Sequence, residues 1–416
     1  IYRETAADAP GRGELIIRGY GTLPMYGVGV QVGGQVAATS SFARVRIENN
    51  GMLVIDAGSL LDLTDSELAC APLTANGGLA IAGGTLAVAP GFVLTNSILW
   101  IQSVSASLDS GDSFIVGNNG ELRLDHHFVH KGNLSVASGG LVSRALLDGV
   151  NPAPLSLAVT GDLTVAAGGS IDVSSKGFTY ANGPGRGTGG IAASHGGRGA
   201  SYAGAALSRP SYGSIVEPVT CGSGGGYNAP STGGGALRLD VAGTLRNDGV
   251  IAANGEARNW YSSAGGSVWI TAGALVGGGA IEANGGSVSG HTPGGGGRVA
   301  VTVTNAGATV AVYQGTFVAR SGNGTGIGGA GTVYLRDAGQ GIDEGTLVID
   351  NNGRMTNERW AEVVPSVEGR NFGALILRNG GCLHLGENEI IQVSGVWSNG
   401  ALGVVAEPGA TVNLGG

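Results

Sequence analysis

The chain has 416 residues, of which 82 are glycine and 12% are charged, with a formal net charge of −8. Glycine this abundant without a three-residue period and with only 13 prolines excludes a collagen-like chain, and the aliphatic content excludes disorder. An acidic chain whose lysines are Lys131 and Lys176 has no basic run for nucleic acid. No apolar run approaches the roughly 20 residues that a membrane-spanning helix needs. Cys70, Cys221 and Cys382 allow at most one intrachain bridge and no cysteine-based metal site.

Residues 1–30 form an irregular entry in which Gly13 to Gly19 is the first strand-like stretch. The chain opens Ile1-Tyr2-Arg3-Glu4, with neither an initiator Met nor a signal peptide, which reads as a processed form or a section of something longer. Residues 31–177 alternate short strands and turns with loose spacing: Arg44 to Gly51, Met52 to Gly58, Gly117 to Leu124, Gly161 to Val165 and Gly169 to Ser174. The Asn-Asn-Gly triplets at Asn49, Asn118 and Asn351 signal left-handed turns.

In Asp125-His126-His127-Phe128-Val129-His130 a strand places His126, Phe128 and His130 on one face, but histidines four apart on a strand are about 13 Å apart, too far to share one ion. A polar outer face is expected there and no metal site. Asp56, Asp62, Asp65 and Glu67 crowd together without recurring at a repeat spacing, so no acid pair of a glycosidase stands out. Ca²⁺ is a cofactor these acids leave open, although the glycine-aspartate nonapeptides of calcium-binding solenoids are missing; no cofactor is expected. The sequons at Asn133 and Asn323 mark glycosylation sites if the source glycosylates its surface proteins.

Residues 178–234 break the rhythm. Leu163 and Leu245 look like equivalent strand positions yet lie 82 apart, so a stretch well beyond the length of one repeat is inserted between them. This insert holds Arg186, His195, Arg198 and Arg209 against the single acid Glu217, and Tyr180, Tyr202, Tyr212 and Tyr227. A long loop in an ordered fold is usually functional. His195, Arg198 and Tyr202 compose a lyase-like set, with Arg neutralising a uronic carboxylate and Tyr or His removing the α-proton. The alternative is that His-Gly-Gly-Arg-Gly is a structural turn in a glycine-packed loop.

Residues 235–416 carry the clearest repeat. Gly235-Ala236-Leu237-Arg238-Leu239 returns in kind at Gly266, Gly297 and Gly331, so the leading glycines keep a near-constant step. A near-constant period of about 31 residues marks a solenoid. Apolar residues alternate with others, so Leu237, Leu239, Val241, Val268, Ile270, Val299, Val301 and Val303 point inward from strands buried on one face. Leu245 and Leu275, and Ile251 and Ile281, are each 30 apart. Asn254 and Asn284, each before a glycine, are expected at stacked turns with positive φ, where they form a ladder. The outward column Arg238, Trp269, Ala300, Tyr334 offers a cation–π pair and flat faces for sugar rings; the alternative is that inserted loops bury it. The pattern continues through Gly345 to Asp350, a more charged loop from Arg354 to Arg370 holding Trp360, and strands from Gly373 to Arg378 and from Ala410 to Leu414.

These features predict an all-β fold, a right-handed parallel β-helix (β-solenoid) with one long glycine-rich inserted loop. The run from Ser194-His195-Gly196-Gly197-Arg198-Gly199 through Tyr212-Gly213-Ser214, Gly222-Ser223-Gly224-Gly225-Gly226 and Gly233-Gly234-Gly235 resembles the glycine-rich β-solenoid segments of very large secreted or surface-anchored proteins of bacteria and some unicellular eukaryotes. The resemblance continues through Ala264 to Ile270 and Gly294 to Ala300, covering roughly residues 160–305, while the flanks resemble adhesin or autotransporter-passenger solenoids. It implies architecture and an extracellular or cell-surface location, and it assigns no catalytic residue. The expected function is structural, as adhesin stalk, spacer or fibre subunit, with self-association or neighbouring domains of a longer chain as partners. The alternative is a polysaccharide-active, lyase-like enzyme or carbohydrate-binding module that uses the insert on a surface polysaccharide.

Overall fold

A computed structural model of the chain describes residues 1–4, 13–18, 30–32, 39–70, 77–145, 148–202, 208–226, 230–258, 260–354, 360–362, 371–400 and 403–415. Most of the irregular entry, Tyr227 and most of the stretch from Arg354 to Arg370 lie outside the described residues. The fold is nearly all β; among the described residues the one helical segment is the 3-10 turn Val310–Val312. The chain forms two compact units. One comprises Ile1–Ala145, Ser156–Ile171 and Val241–Gly249; the other comprises Leu146–Leu155, Asp172–Asp240 and Val250–Gly416.

In the first unit short strands return once per repeat and pair in parallel with their counterparts in the repeat before. One ladder runs Val30–Val32, Met52–Ile55, Gly78–Ile81, Ile98–Ile101, Glu121–Leu124, Leu141–Ser143 and Ser170–Asp172. A second runs Thr39–Ser41, Leu60–Leu63, Thr85–Val88 and Ser107–Asp109. A third runs Phe92–Leu94, Ser113–Val116, Asn133–Val136 and Leu163–Val165, and Leu163 sits opposite Leu245 as their spacing predicts. In-register stacking puts like on like: Leu53, Leu79, Leu99, Leu122 and Val142 form one fully buried column. Turns between strands take left-handed residues, among them Asn49, Asn50, Asn119 and, in the second unit, Asn352.

In the second unit Ser267–Val276, Arg298–Val303 and Thr332–Arg336 pair in parallel, as do Val250–Ala252, Ala280–Glu282 and Thr316–Val318. Val268, Val299 and Val333 stack, as do Ile270, Val301 and Leu335. Every residue named above as inward-pointing is buried. The expectation of one buried face fails for Arg298–Val303, which is buried along its whole length, because Ile215 and Val216 of the insert join Ala300 and Tyr334 in one apolar cluster on the other face. The parallel order also breaks once after Leu335. Thr332–Arg336 meets Thr346–Asp350 antiparallel, Val333 opposite Val348, and parallel pairing then resumes with Ala374–Arg378 and Trp397–Asn399. The hairpin is closed by Tyr334, whose hydroxyl donates to Ile342 O at 2.5 Å and accepts from Gly345 N at 3.2 Å.

The glycine period has a steric cause. Ser267 N donates to Gly235 O (3.0 Å), Arg298 N to Gly266 O (2.8 Å) and Thr332 N to Gly297 O (3.1 Å). A Cβ on Gly266, Gly297 or Gly331 would overlap the carbonyl oxygen of the glycine one repeat earlier. The repeats therefore stack backbone on backbone, and only glycine fits. Asn254 and Asn284 do form a ladder, but without the expected positive φ. Their side-chain carbonyls reach the next repeat instead of their own backbone: Asn254 Oδ1 accepts from Asn284 N (2.7 Å) and Asn284 Oδ1 from Arg320 N (3.2 Å).

Gly297→Ala is expected to cost about 1–3 kcal/mol in urea unfolding through overpacking. Gly278→Ala, where nothing lies within 4 Å of the added methyl, leaves stability unchanged or slightly higher.

Candidate functional site

The insert is held down by a buried polar core. Arg298, fully buried, donates from Nε to Tyr212 O (2.9 Å) and from Nη1 to Thr332 Oγ1 (3.1 Å). Tyr212 donates from its hydroxyl to Cys221 O at 2.7 Å, with Ser223 Oγ also at 2.7 Å, and its ring lies 4.6 Å from that of His195. His195 is itself fully buried. Its Nδ1 faces the Gly265 carbonyl at 2.7 Å, which can only accept, so Nδ1 carries the proton and Nε2 accepts from Thr220 Oγ1 at 2.9 Å. Burial, reinforced by the Arg298 charge, lowers the His195 pKa to about 3, and burial holds the Tyr212 phenol far above its ordinary value. A buried neutral imidazole with both nitrogens engaged anchors a loop; it does not collect a proton from a solvent-borne substrate.

The structure separates the other two members of the lyase-like set from this core. Arg198 lies with Cζ 5.4 Å over the Trp360 ring and donates to Ser208 O at 2.9 Å. Trp360 in turn stacks on His384 at 4.5 Å and 17°, giving a cation–indole–imidazole pile. Tyr202 is 57% exposed, bonded through its backbone to Gly190 O.

The aromatic column is assembled as its spacing predicts, with Trp269, Ala300 and Tyr334 in register. Arg238 Cζ lies 4.3 Å over the Trp269 ring, and its Nε pairs with Asp240 at 2.8 Å. Tyr334 is 1% exposed, so its flat face meets Phe372 and the insert, not solvent.

The histidine-rich stretch is not one strand. Phe128–His130 alone is extended; Phe128 and His130 are buried, and His126 is exposed in the bend before it. Asp125 accepts from Trp100 Nε1 at 2.7 Å, His127 Nδ1 meets Ser156 Oγ at 2.8 Å, and His130 donates to Asn133 O at 3.0 Å. Among the described residues no group of three or more His, Cys, Asp or Glu is placed to hold a metal. Both sequon asparagines, Asn133 and Asn323, are exposed. Cys221 and Cys382 are buried, and burial pushes the Cys382 thiol up to about 11.

Two features escaped the sequence. Trp260, 46% exposed and at φ +82°, packs on His291, one repeat further on, with ring centres 4.2 Å apart and planes tilted by 33°; the repeat period itself is the signal that pairs them. The second is a cleft of about 300 Å³ beside the antiparallel reversal, floored by Phe317, Val333 and Val348 and rimmed by the Asp350–Arg378 ion pair. Nothing local announces it, because it exists only where strand direction changes.

The buried histidine sets a pH dependence. Because its folded pKa lies below the unfolded value, its contribution to stability is complete above about pH 6.5 and is lost as pH falls toward 3, by up to about 1.4 kcal/mol per pH unit. His130, also lowered by burial, adds in the same direction. Denaturant unfolding between pH 7 and 4 should show this loss, reduced but not abolished in His195→Gln. No family model, curated protein or solved structure matches the chain.

Proposed function

We propose that the chain is a right-handed parallel β-solenoid serving as a structural section of a secreted or cell-surface protein: a stalk, spacer or fibre subunit. The observation that carries this is the repeated in-register parallel pairing, in which columns of aliphatic residues recur from repeat to repeat, joined in the second unit by stacked glycines. Such a core owes nothing to what the outer surface carries. The acidic, lysine-poor composition suits an extracellular setting, and the burial of Ile215 and Val216 of the insert against the strands suits a wall more than a catalytic lid. Right-handedness follows the general rule for parallel crossovers. Partners on this reading are further copies of the chain or neighbouring domains of a longer one.

Anionic polysaccharides mixed with the protein should give no unsaturated-product absorbance, and Arg198→Ala should change stability, through its lost stack on Trp360, and nothing else. Turnover that Arg198→Ala abolishes would replace the structural reading with the lyase one. Light scattering across concentration tests self-association: growth in mass supports the fibre subunit, and a monomer at high concentration leaves only stalk or spacer.

A carbohydrate-binding surface is a second reading, favoured by the exposed indole of Trp260 braced on His291. Titration with neutral and acidic polysaccharides should then quench tryptophan fluorescence in the wild type and not in Trp260→Ala.

A further inference from the structure

One ladder of the first unit is open from both sides. Among the described residues, the parallel series ending in Ser107–Asp109 has no further strand bonded to it, and Phe128–His130, which occupies the same place one repeat later, pairs with Leu155–Val159 beyond it and with no other strand. The strands flanking this gap are locked: Ile98–Ile101 with Glu121–Leu124 on one side and Ser113–Val116 with Asn133–Val136 on the other. Between these fixed points one repeat runs through 102–112, whereas the next crosses the same span with only 125–132. The shorter path cannot follow the longer one outward, and a groove of about 350 Å³ remains between the two strands.

The groove has the chemistry of a vacant strand position. Ser107 N donates back to Gly84 O, so strand alternation turns the peptide groups of Leu108 the other way, toward the groove. His130 O accepts from Thr160 N on the far side, so Val129 likewise turns its peptide groups inward. Leu108 and Phe128 line the groove, while Val104 and Val129, 78% and 50% exposed, stand at its mouth. Lys131, one of two lysines in the chain, stands on the rim with no ion pair among the described residues. The rim carboxylate, Asp109, accepts from Gly111 N of its own turn at 3.4 Å.

We propose that this groove is a strand-addition site for an extended peptide that places an apolar side chain over Leu108 and Phe128 and a carboxylate at Lys131. An extended polypeptide backbone carries alternating donors and acceptors that can answer both edges. The exposed valines select apolar side chains, and Lys131 selects an acidic neighbour. The inference rests on strand pairing within the first unit and is independent of the structural role proposed above.

The test is fluorescence polarisation with a labelled hexapeptide alternating valine and aspartate. Saturable binding is expected, weakened at least about tenfold when alternate amides of the peptide are N-methylated and when lysine replaces aspartate. Val129→Pro, which removes a groove-facing N–H, should abolish binding with the unfolding midpoint unchanged. Lys131→Glu, an exposed change that leaves the backbone intact, should reverse the preference between the aspartate and lysine peptides. Absence of saturable binding, equal binding of the N-methylated peptide, or indifference to Lys131→Glu would each overturn the proposal.

Discussion

The close approach of one repeat's backbone to the next is the constraint from which most of the second unit follows. Gly266, Gly297 and Gly331 are contact points at which the carbonyl oxygen of the preceding repeat's glycine lies where a β-carbon would have to be. That contact fixes register, and register in turn stacks Val268 on Val299 and Val333, and Trp269 on Ala300 and Tyr334. The same argument explains the spacing of the glycines better than turn propensity does. These glycines precede the strands and are not left-handed; they are required for lack of room.

Close packing also explains how so long an excursion, 178–234, becomes part of the core. Its glycines let it run backbone-to-backbone against the repeats: Gly234 N donates to Ala264 O, Gly197 N to Gly296 O, and Gly295 N to Ala193 O. A segment bonded in this way buries polar groups, which are costly to leave unanswered. Arg298, Tyr212, His195 and Thr220 answer carbonyls and hydroxyls of the insert and of the strands beneath it. Such a network is costly to leave half made, which ties the insert to a single arrangement.

The sequence disclosed whatever depends on periodicity. Leu163 opposite Leu245, Ile251 opposite Ile281 and the inward residues of the repeats were legible because one face of a strand alternates with the other and each repeat copies the last. Arg238 over Trp269 was legible for the same reason. The insert's role was not, because a covering segment leaves no periodic trace on the strands it covers; nothing in the repeat marks Arg298 for burial, and its ladder partners, Ser267 and Thr332, are small and uncharged. His195 beside Arg198 suggested chemistry on sequence proximity alone, whereas adjacent residues here point into different surroundings, one into a sealed polar core and the other onto Trp360. The histidine-rich stretch misled for a simpler reason: the bend at Asp125 and His126 interrupts the alternation that the argument assumed.

The antiparallel meeting of Thr332–Arg336 with Thr346–Asp350 has a consequence for how the chain acquires its structure. Up to Arg336 each strand of this series can be templated by the one before it, residue laid on equivalent residue, so that order spreads along the chain once begun. At the hairpin the template is read backwards, and no equivalent residue is available to copy. The strands from Thr346 onward then need a nucleus of their own, for which Tyr334 bonded to Ile342 and Gly345 and packed on Phe372 is well placed. A local hairpin closes faster than a parallel crossover. This reversal within the ladder is thus also the point at which a second round of propagation can start.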